Sequence, residues 1–237
     1  MFKEVPWQKS KYLLLVGLAG SGIPSFLYAI AQTQVDSSVA GLLNSLTPIF
    51  TLIIGIIIFK KALIKTQLGG IILGFTGAAT LIWLNNTETA SGSHILYAGL
   101  IVLATICYGT SVNVVKYKLE GLRPLLISSM SFLFTGPFAM MYLFTTDFMT
   151  DISSHPEGMQ SLIAVTTLSL LSTFLSTILF YKLVQKTNPV FASSVSFLIP
   201  IVALGWGMID GELVGLAHII SLICILSGVY LLRKVKD

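Results

Sequence analysis

The sequence predicts an all-α membrane protein with eight transmembrane helices, and three observations carry this prediction. Of the 237 residues, 54% are hydrophobic and only 10% are charged, whereas a soluble domain carries about 25% charged residues. The apolar residues gather in runs of about 20, which is the length that a helix needs to cross a bilayer. If the termini and the loops between these runs are numbered in chain order, all 14 lysine and arginine residues lie in alternate segments. Cytoplasmic loops of membrane proteins show the same excess of basic residues.

The apolar runs fill most of the chain and leave no room for a soluble domain of useful size. A transmembrane β-barrel is the alternative for runs such as "LIIGIIIF", but its strands would be about 10 residues long with alternating polarity. These runs are about twice as long and do not alternate, so we interpret them as helices. The first ten residues, "MFKEVPWQKS", lack an apolar core, so the first run is not interpreted as a signal peptide. In chain order the predicted spans are 12–33, 38–59, 66–84, 95–115, 124–144, 161–181, 190–209 and 213–232.

The distribution of charge predicts the orientation. If both termini lie in the cytoplasm, the inner segments hold every basic residue; these segments are 1–11, 60–65, 116–123, 182–189 and 233–237. The charged residues of the outer loops are all acidic: Asp36, Glu88, Asp147, Asp151, Glu157, Asp210 and Glu212. We therefore expect a multi-pass protein of a plasma or inner membrane with cytoplasmic termini. Because the basic residues are divided among five short segments, the sequence argues against a nucleic-acid partner.

Two parts of the chain repeat each other with the charge reversed. "SLTPIFTLIIGIIIFKKAL" (45–63) and "FLIPIVALGWGMIDGEL" (197–213) both place a glycine seven residues after a proline, followed by a charged turn. Pro48 and Pro200 are 152 residues apart, and after the turn the spacing becomes 151, which aligns Lys61 with Glu212. Segment 12–84 therefore resembles 161–232. An even number of spans precedes the first copy and an odd number precedes the second, so the copies are predicted to be inverted, as in many secondary transporters.

The sequence also resembles a known family. "SSVAGLLNSLTPIFTLIIGIIIFKKALIKTQLGGIILGFTGAATLI" (37–82) and "NPVFASSVSFLIPIVALGWGMIDGELVGLAHIISLICILSGVYLL" (188–232) are similar to the drug/metabolite transporter superfamily, EamA family. The resemblance implies ten helices in two inverted repeats of five. Here 95–232 supplies five helices and 12–84 supplies three, which is 3+5 of a usual 5+5. Segments 1–11 and 233–237 are then the cytoplasmic N-terminal segment and tail.

The resemblance implies a function and leaves one alternative. The expected function is an exporter or facilitator that moves a small metabolite, amino acid or drug-like solute by alternating access. It is not expected to be an enzyme or to hold a cofactor. The alternative is a truncated, non-transporting membrane protein or subunit that acts by helix–helix association. The incomplete first repeat predicts a homo-oligomer or a partner that supplies the missing helices.

Polar side chains within the spans are the candidates for a substrate cavity, because hydrocarbon offers them no partners. In 38–59, helical spacing places Asn44, Pro48 and Thr51 on one face, and Pro48 and Pro200 each free a backbone carbonyl. A matched pair of interrupted helices is a pointer to a binding site, whereas hydroxyl groups also serve helix packing. The predicted cavity residues are Asn44, Thr47, Pro48, Thr51, Tyr108, Asn113, Ser172, Ser176, Ser196 and Pro200.

Other chemistry finds little support in the spans. No Asp, Glu, Lys or Arg lies deep in a predicted span, and proton-coupled pumps and intramembrane aspartyl enzymes need such groups. Cys107 and Cys224 are interpreted as core residues rather than as a disulfide or metal pair. His218 is interpreted as a helix-interface residue. The sequence therefore favours a neutral or zwitterionic solute and predicts no metal site.

Overall fold

Helices account for the regular structure that this chain adopts. The computed structural model describes residues 7–35, 37–85, 95–154, 157–199, 201, 202, 205, 209 and 215–233, and none of these lies in a strand. The all-α prediction is therefore confirmed for this part of the chain. The α-helices are α1 (Ser10–Gly17), α2 (Ile23–Ala31), α3 (Ser37–Asn44), α4 (Thr47–Ile57), α5 (Lys65–Asn85), α6 (Ile95–Tyr117), α7 (Pro124–Leu143), α8 (Phe148–Ser154), α9 (Gly158–Leu168), α10 (Ser176–Lys186), α11 (Pro189–Ser193) and α12 (Leu216–Arg233).

Two of the long helices contain a π-helical segment. Leu18–Gly22 joins α1 to α2, and Ser169–Leu175 joins α9 to α10. Four continuous helices of the described chain are long and apolar enough to cross a membrane: Ser10–Ala31, Ile95–Tyr117, Pro124–Leu143 and Gly158–Lys186. The count of eight spans remains a prediction, and α8 adds a short helix where the sequence indicated only a loop.

The second predicted span, 38–59, is divided into α3 and α4 by a turn at Ser45 and Leu46. Pro48 lies in the first turn of α4 and has no N–H to donate to the carbonyl of Asn44. The hydroxyl of Thr47 donates to that carbonyl instead, at 2.7 Å. The proline therefore stops the helix and leaves Asn44 at its end.

One part of the core joins the first half of the chain to the helices that follow it. Leu13 and Val16 of α1 are fully buried against Val115 of α6, Ile127 of α7 and Val184 of α10. At the edge of this cluster, the Nζ of Lys116 donates to the carbonyls of Gln185 and Thr187 at 3.1 and 2.6 Å. A cation at the end of α10 is favourable because the helix dipole leaves that end negative.

The other part of the core packs α5 against α12. An ideal Cβ on Gly70 would lie 2.9 Å from the carbonyl oxygen of Gly228, and one on Gly77 would lie 2.8 Å from that of Ser221. Small residues let two membrane helices approach this closely. Phe197, which is fully buried, fills the space beside Gly74. Three of the four glycines in "LGGIILGFTG", Gly70, Gly74 and Gly77, thus form the contact surface of this helix pair.

In contrast, α9 and the π-helical segment after it have almost no covered face. Gly158 is the one buried residue among the described positions of these two elements. Ile163, Leu168 and Leu171 are each at least 60% exposed. In a bilayer such a surface faces lipid or another helix.

Candidate functional site

A central cavity of about 730 Å³ lies between α2, the α3–α4 turn, α6, α10 and the chain that follows α11. Its volume falls in the range of small-molecule sites, which is about 300–1,000 Å³. No charged side chain lines it among the described residues. Six of the ten predicted site residues do line it: Asn44, Thr47, Tyr108, Ser172, Ser176 and Ser196.

The side-chain oxygen of Asn44, Oδ1, holds the amide at the cavity wall. The hydroxyl of Tyr28 donates to Oδ1 at 2.9 Å, and the hydroxyl of Thr47 lies 3.4 Å from the same atom. No described group accepts a hydrogen bond from Nδ2 of Asn44. Since Oδ1 is engaged, the amide offers its N–H donors to whatever occupies the cavity.

Hydroxyl groups line the opposite wall. Ser172 and Thr173 lie within the π-helical segment, and Ser176 and Thr177 begin α10 on the same side. No hydrogen bond is described for the hydroxyls of Ser172 and Ser176, which are exposed to the cavity. A π-helical segment adds a residue to the turn and often marks a functional site. The four hydroxyl groups of this wall border the same space.

Ser196 supplies a further hydroxyl from the 3₁₀ segment Ser194–Leu198. Its Oγ is buried and has no hydrogen-bond partner within the described structure. Aromatic rings complete the walls: the centroids of Tyr28 and Tyr108 are 6.2 Å apart, and Tyr181 closes one side. The cavity is therefore polar, uncharged and partly aromatic.

The cavity residues fall into register when the chain is compared with itself at the spacing of 152. Four pairs of positions that this spacing aligns line the same cavity. The aligned pairs are Gly20 with Ser172, Tyr28 with Phe180, Asn44 with Ser196 and Thr47 with Ile199. An approximate two-fold axis through the cavity would place residues in this way.

A second, smaller cavity, here called the inner pocket, has a volume of about 220 Å³. Thr51 and Asn113, which were predicted to share a site with Asn44, line this pocket instead. The two spaces are separated where α6 crosses α4: an ideal Cβ on Gly109 would lie only 2.9 Å from the backbone nitrogen of Thr51. The predicted polar face of α4 is therefore divided between two cavities.

Neither of the two predicted cavity prolines is among the described lining residues, for different reasons. Pro48 is buried and does not belong to the described lining of either cavity. Its contribution is the helix break that positions Asn44. Pro200 lies outside the described residues.

Among the lining residues that are absent from the predicted list, Tyr28, Gln67 and Lys61 carry polar groups that the site uses. Tyr28 lies near the end of the predicted span 12–33, where a tyrosine commonly serves as an interfacial anchor. Gln67 lies in the first turn of α5, and Lys61 lies in the turn before it; both line the inner pocket. For Tyr28 the repeat carried a usable signal, because its aligned partner Phe180 is also aromatic.

Comparison with known proteins gives consistent results. The model of the EamA-like transporter family matches residues 1–83 and 95–234. An uncharacterized transporter from Archaeoglobus fulgidus is 22% identical over 233 residues, which cover 98% of this chain and 80% of that protein. A protein of known crystal structure shares the fold with a TM-score of 0.70 at 14% identity, and the match covers 98% of this chain and 79% of the other.

Proposed function

This chain belongs to the EamA-like transporter family and is a multi-pass membrane transporter, and from that premise we propose that it moves a small neutral or zwitterionic solute through the central cavity by alternating access. The observation that carries the proposal is the cavity itself, lined by hydroxyl, amide and aromatic groups without a charged side chain among the described residues. Membership of a transporter family argues for transport rather than catalysis.

The chemistry of the lining supports the solute class. A fully charged ion that left water for this cavity would find no opposite charge to compensate its lost hydration. A polar solute without net charge would find the N–H donors of Asn44 and the hydroxyls of Ser172 and Ser176. Tyr28 and Tyr108 add apolar faces with polar ends.

Two aligned pairs of helix irregularities support an inverted repeat, which is the arrangement that alternating-access transporters commonly use. The π-helical segment Leu18–Gly22 aligns within the second one, Ser169–Leu175, at the spacing of 152. The break at Ser45 and Leu46 aligns within the 3₁₀ segment Ser194–Leu198. Backbone irregularities at membrane depth are tolerated where protein or a cavity receives them, so their recurrence in register supports two equivalent units.

The α5–α12 contact adds support from packing. At the spacing of 151, Gly70 aligns with Ser221 and Gly77 aligns with Gly228. In the structure Gly70 contacts Gly228, and Gly77 contacts Ser221. Contacts that exchange partners in this way are the property of a two-fold interface.

The flux of solutes into proteoliposomes tests the proposal. Purified full-length chain is reconstituted and supplied with radiolabelled neutral amino acids, nucleosides and sugars, with dicarboxylates and polyamines as charged comparators. We expect saturable uptake of at least one neutral or zwitterionic solute, above that of protein-free vesicles. Uptake of charged solutes alone, or of none, would contradict the proposed function.

The exposed face of α9 favours the alternative of a protein that works by association. At the repeat spacing, α9 and α10 align with Ser10–Ala31, which packs against α6 and α7. We propose that a helix pair from a second copy or a partner chain covers α9 in the same way. The mass of the reconstituted particle, measured by light scattering beside the flux, distinguishes a lone chain from an assembly.

We also propose that the protein lies in a plasma or inner membrane, with both termini and the turn between α4 and α5 on the cytoplasmic side. With Cys107 and Cys224 replaced by alanine, a cysteine at Ser154 should react with a membrane-impermeant maleimide in intact cells. A cysteine at Ala62 should react only after the cells are opened. Both positions are exposed, so accessibility alone does not separate them. Labelling in the reverse pattern would contradict the orientation.

A further inference from the structure

The inner pocket contains two buried amide groups whose hydrogen bonds are incomplete. Gln67 is 5% exposed and lines the pocket, yet no hydrogen bond is described for its side chain. Asn113 is 1% exposed; its Nδ2 donates to the carbonyls of Thr51 and Gly109 at 2.9 and 2.8 Å, while Oδ1 has no partner. Buried amide atoms are nearly always satisfied, so the unpaired Oδ1 of Asn113, beside the unused amide of Gln67, points to an occupant of the pocket.

The Oδ1 of Asn113 is buried beside Gly55 of α4, and both residues line the inner pocket. The nearest position on α4 is Gly55, where an ideal Cβ would lie 3.2 Å from Oδ1. Because glycine has no Cβ, this side of the oxygen is not covered by a side chain of α4. Since Nδ2 is already engaged, Asn113 can only accept a further hydrogen bond.

Lys61 brings a positive charge to the same pocket. After α4 ends, Lys60 adopts a φ of 53°, and the backbone nitrogen of Lys61 donates back to the carbonyl of Gly55 at 3.1 Å. This turn folds Lys61 over the pocket that Gly55 lines, with its Nζ 4.5 Å from the centre of the Tyr117 ring. The ammonium and the amide of Gln67 are then available to an acceptor with negative charge.

From these groups we propose that the inner pocket is a second solute subsite, which takes a small zwitterionic solute that carries a carboxylate and a neighbouring N–H donor. The carboxylate lies towards Lys61 and Gln67, and the donor lies towards Oδ1 of Asn113. The pocket's 220 Å³ equals the liquid volume of only about seven waters, so the solute or its polar end is small. This inference rests on the proposed function, of which the subsite is the cytoplasmic stage.

Comparison of the two repeats predicts that this subsite has no equivalent on the other side of the membrane. At the spacing of 151, Lys61 aligns with Glu212 and Gln67 aligns with His218. A carboxylate in the position of the lysine would repel the solute that the inner pocket attracts. The proposed subsite therefore holds the solute on one side only.

The test measures binding of three probes to the full chain in lipid nanodiscs by saturation-transfer NMR. Glycine carries both a carboxylate and an N–H donor, whereas acetate lacks the donor and ethanolamine lacks the carboxylate. We expect glycine to bind at least about tenfold more tightly than the other two, since each lost partner leaves a buried group unpaired. Equal binding of all three probes would overturn the subsite.

Matched variants locate the binding. Gln67→Leu and Lys61→Met should each weaken glycine binding about tenfold or more. Lys65→Met and Gln32→Leu remove the same groups from exposed positions outside the pocket, and they should leave binding unchanged. If Gln67→Leu does not fold, Gln67→Glu keeps the shape and should weaken binding by repelling the carboxylate. Glycine binding that survives all the pocket variants overturns the subsite.

The same samples separate this inference from the proposed function. If proteoliposome flux is present while the pocket variants bind glycine as the wild type does, the subsite is wrong and the transporter proposal stands. If the pocket variants lose glycine binding while wild-type protein transports no solute, the subsite stands and the proposed function is wrong.

Discussion

Replacing Gly228 by alanine is expected to lower the free energy of unfolding by about 1–3 kcal/mol, which is the usual cost of forcing an extra group into a packed core. An ideal Cβ at this position would lie 2.6 Å from the backbone nitrogen of Gly74 and 2.7 Å from the carbonyl oxygen of Gly70. Both contacts are with backbone, so no side chain can rotate away. The helices α5 and α12 would have to separate.

Gly69 provides the matched control on the facing helix. Nothing lies within 4 Å of the Cβ that alanine would place there. Alanine is favoured over glycine within a helix by about 1 kcal/mol, so Gly69→Ala should stabilise or leave stability unchanged. The same propensity gain applies at Gly228, which makes the difference between the two variants a measure of packing.

The measurement is unfolding in detergent micelles titrated with SDS and followed by circular dichroism. We expect the midpoint to fall for Gly228→Ala and to hold or rise for Gly69→Ala. Gly70→Ala, which approaches Gly228 from the other side with a Cβ contact of 2.9 Å, should fall in the same direction. Equal midpoints for Gly228→Ala and Gly69→Ala would mean that α5 and α12 do not pack through these glycines.

The example of α5 shows what the sequence could and could not predict. Its length and apolarity predicted a span at 66–84, and the structure has a helix at Lys65–Asn85. The repeat also paired Gly77 with Gly228 in alignment. However, Gly228 lies against Gly70 and Gly74 rather than against Gly77. Alignment shows which positions correspond, whereas contact depends on how the two helices cross, which the sequence does not show.

The same limit explains why the sequence did not predict that Asn44 and Thr51 line different cavities. Helical periodicity placed Asn44 and Thr51 on a common face, but it could not show that Gly109 of α6 crosses α4 near Thr51 and divides that face. The crossing joins residues that are far apart in sequence. The π-helical segments were also not predicted, since their hydrogen-bond register depends on tertiary packing rather than on local propensity. Polar groups within apolar spans were the signal that could be recognised from the sequence, because each of them needs a partner.

Replacing Asn44 by alanine is expected to reduce solute flux through the central cavity about tenfold or more, with the amount of protein in the membrane unchanged. The change removes the Nδ2 donors that face the cavity and the Oδ1 acceptor that holds the hydroxyl of Tyr28 at 2.9 Å. A hydrogen bond to an uncharged group contributes about 0.5–1.5 kcal/mol and one to a charged group about 1.5–3. Each 1.4 kcal/mol corresponds to about a tenfold change in affinity.

Two further variants distinguish a direct contact between Asn44 and the solute from a role of Asn44 in stabilising the turn between α3 and α4. Ser45→Ala removes a fully buried hydroxyl beside Asn44 that donates to the carbonyl of Gly41 at 3.1 Å and does not line the cavity. Tyr28→Phe removes the donor to Oδ1 but leaves Nδ2 in place, with Thr47 still beside Oδ1. Ser45→Ala should therefore transport as the wild type does, and Tyr28→Phe should lose less flux than Asn44→Ala. If Ser45→Ala and Asn44→Ala lose flux equally, the turn itself is required and Asn44 is not a solute contact.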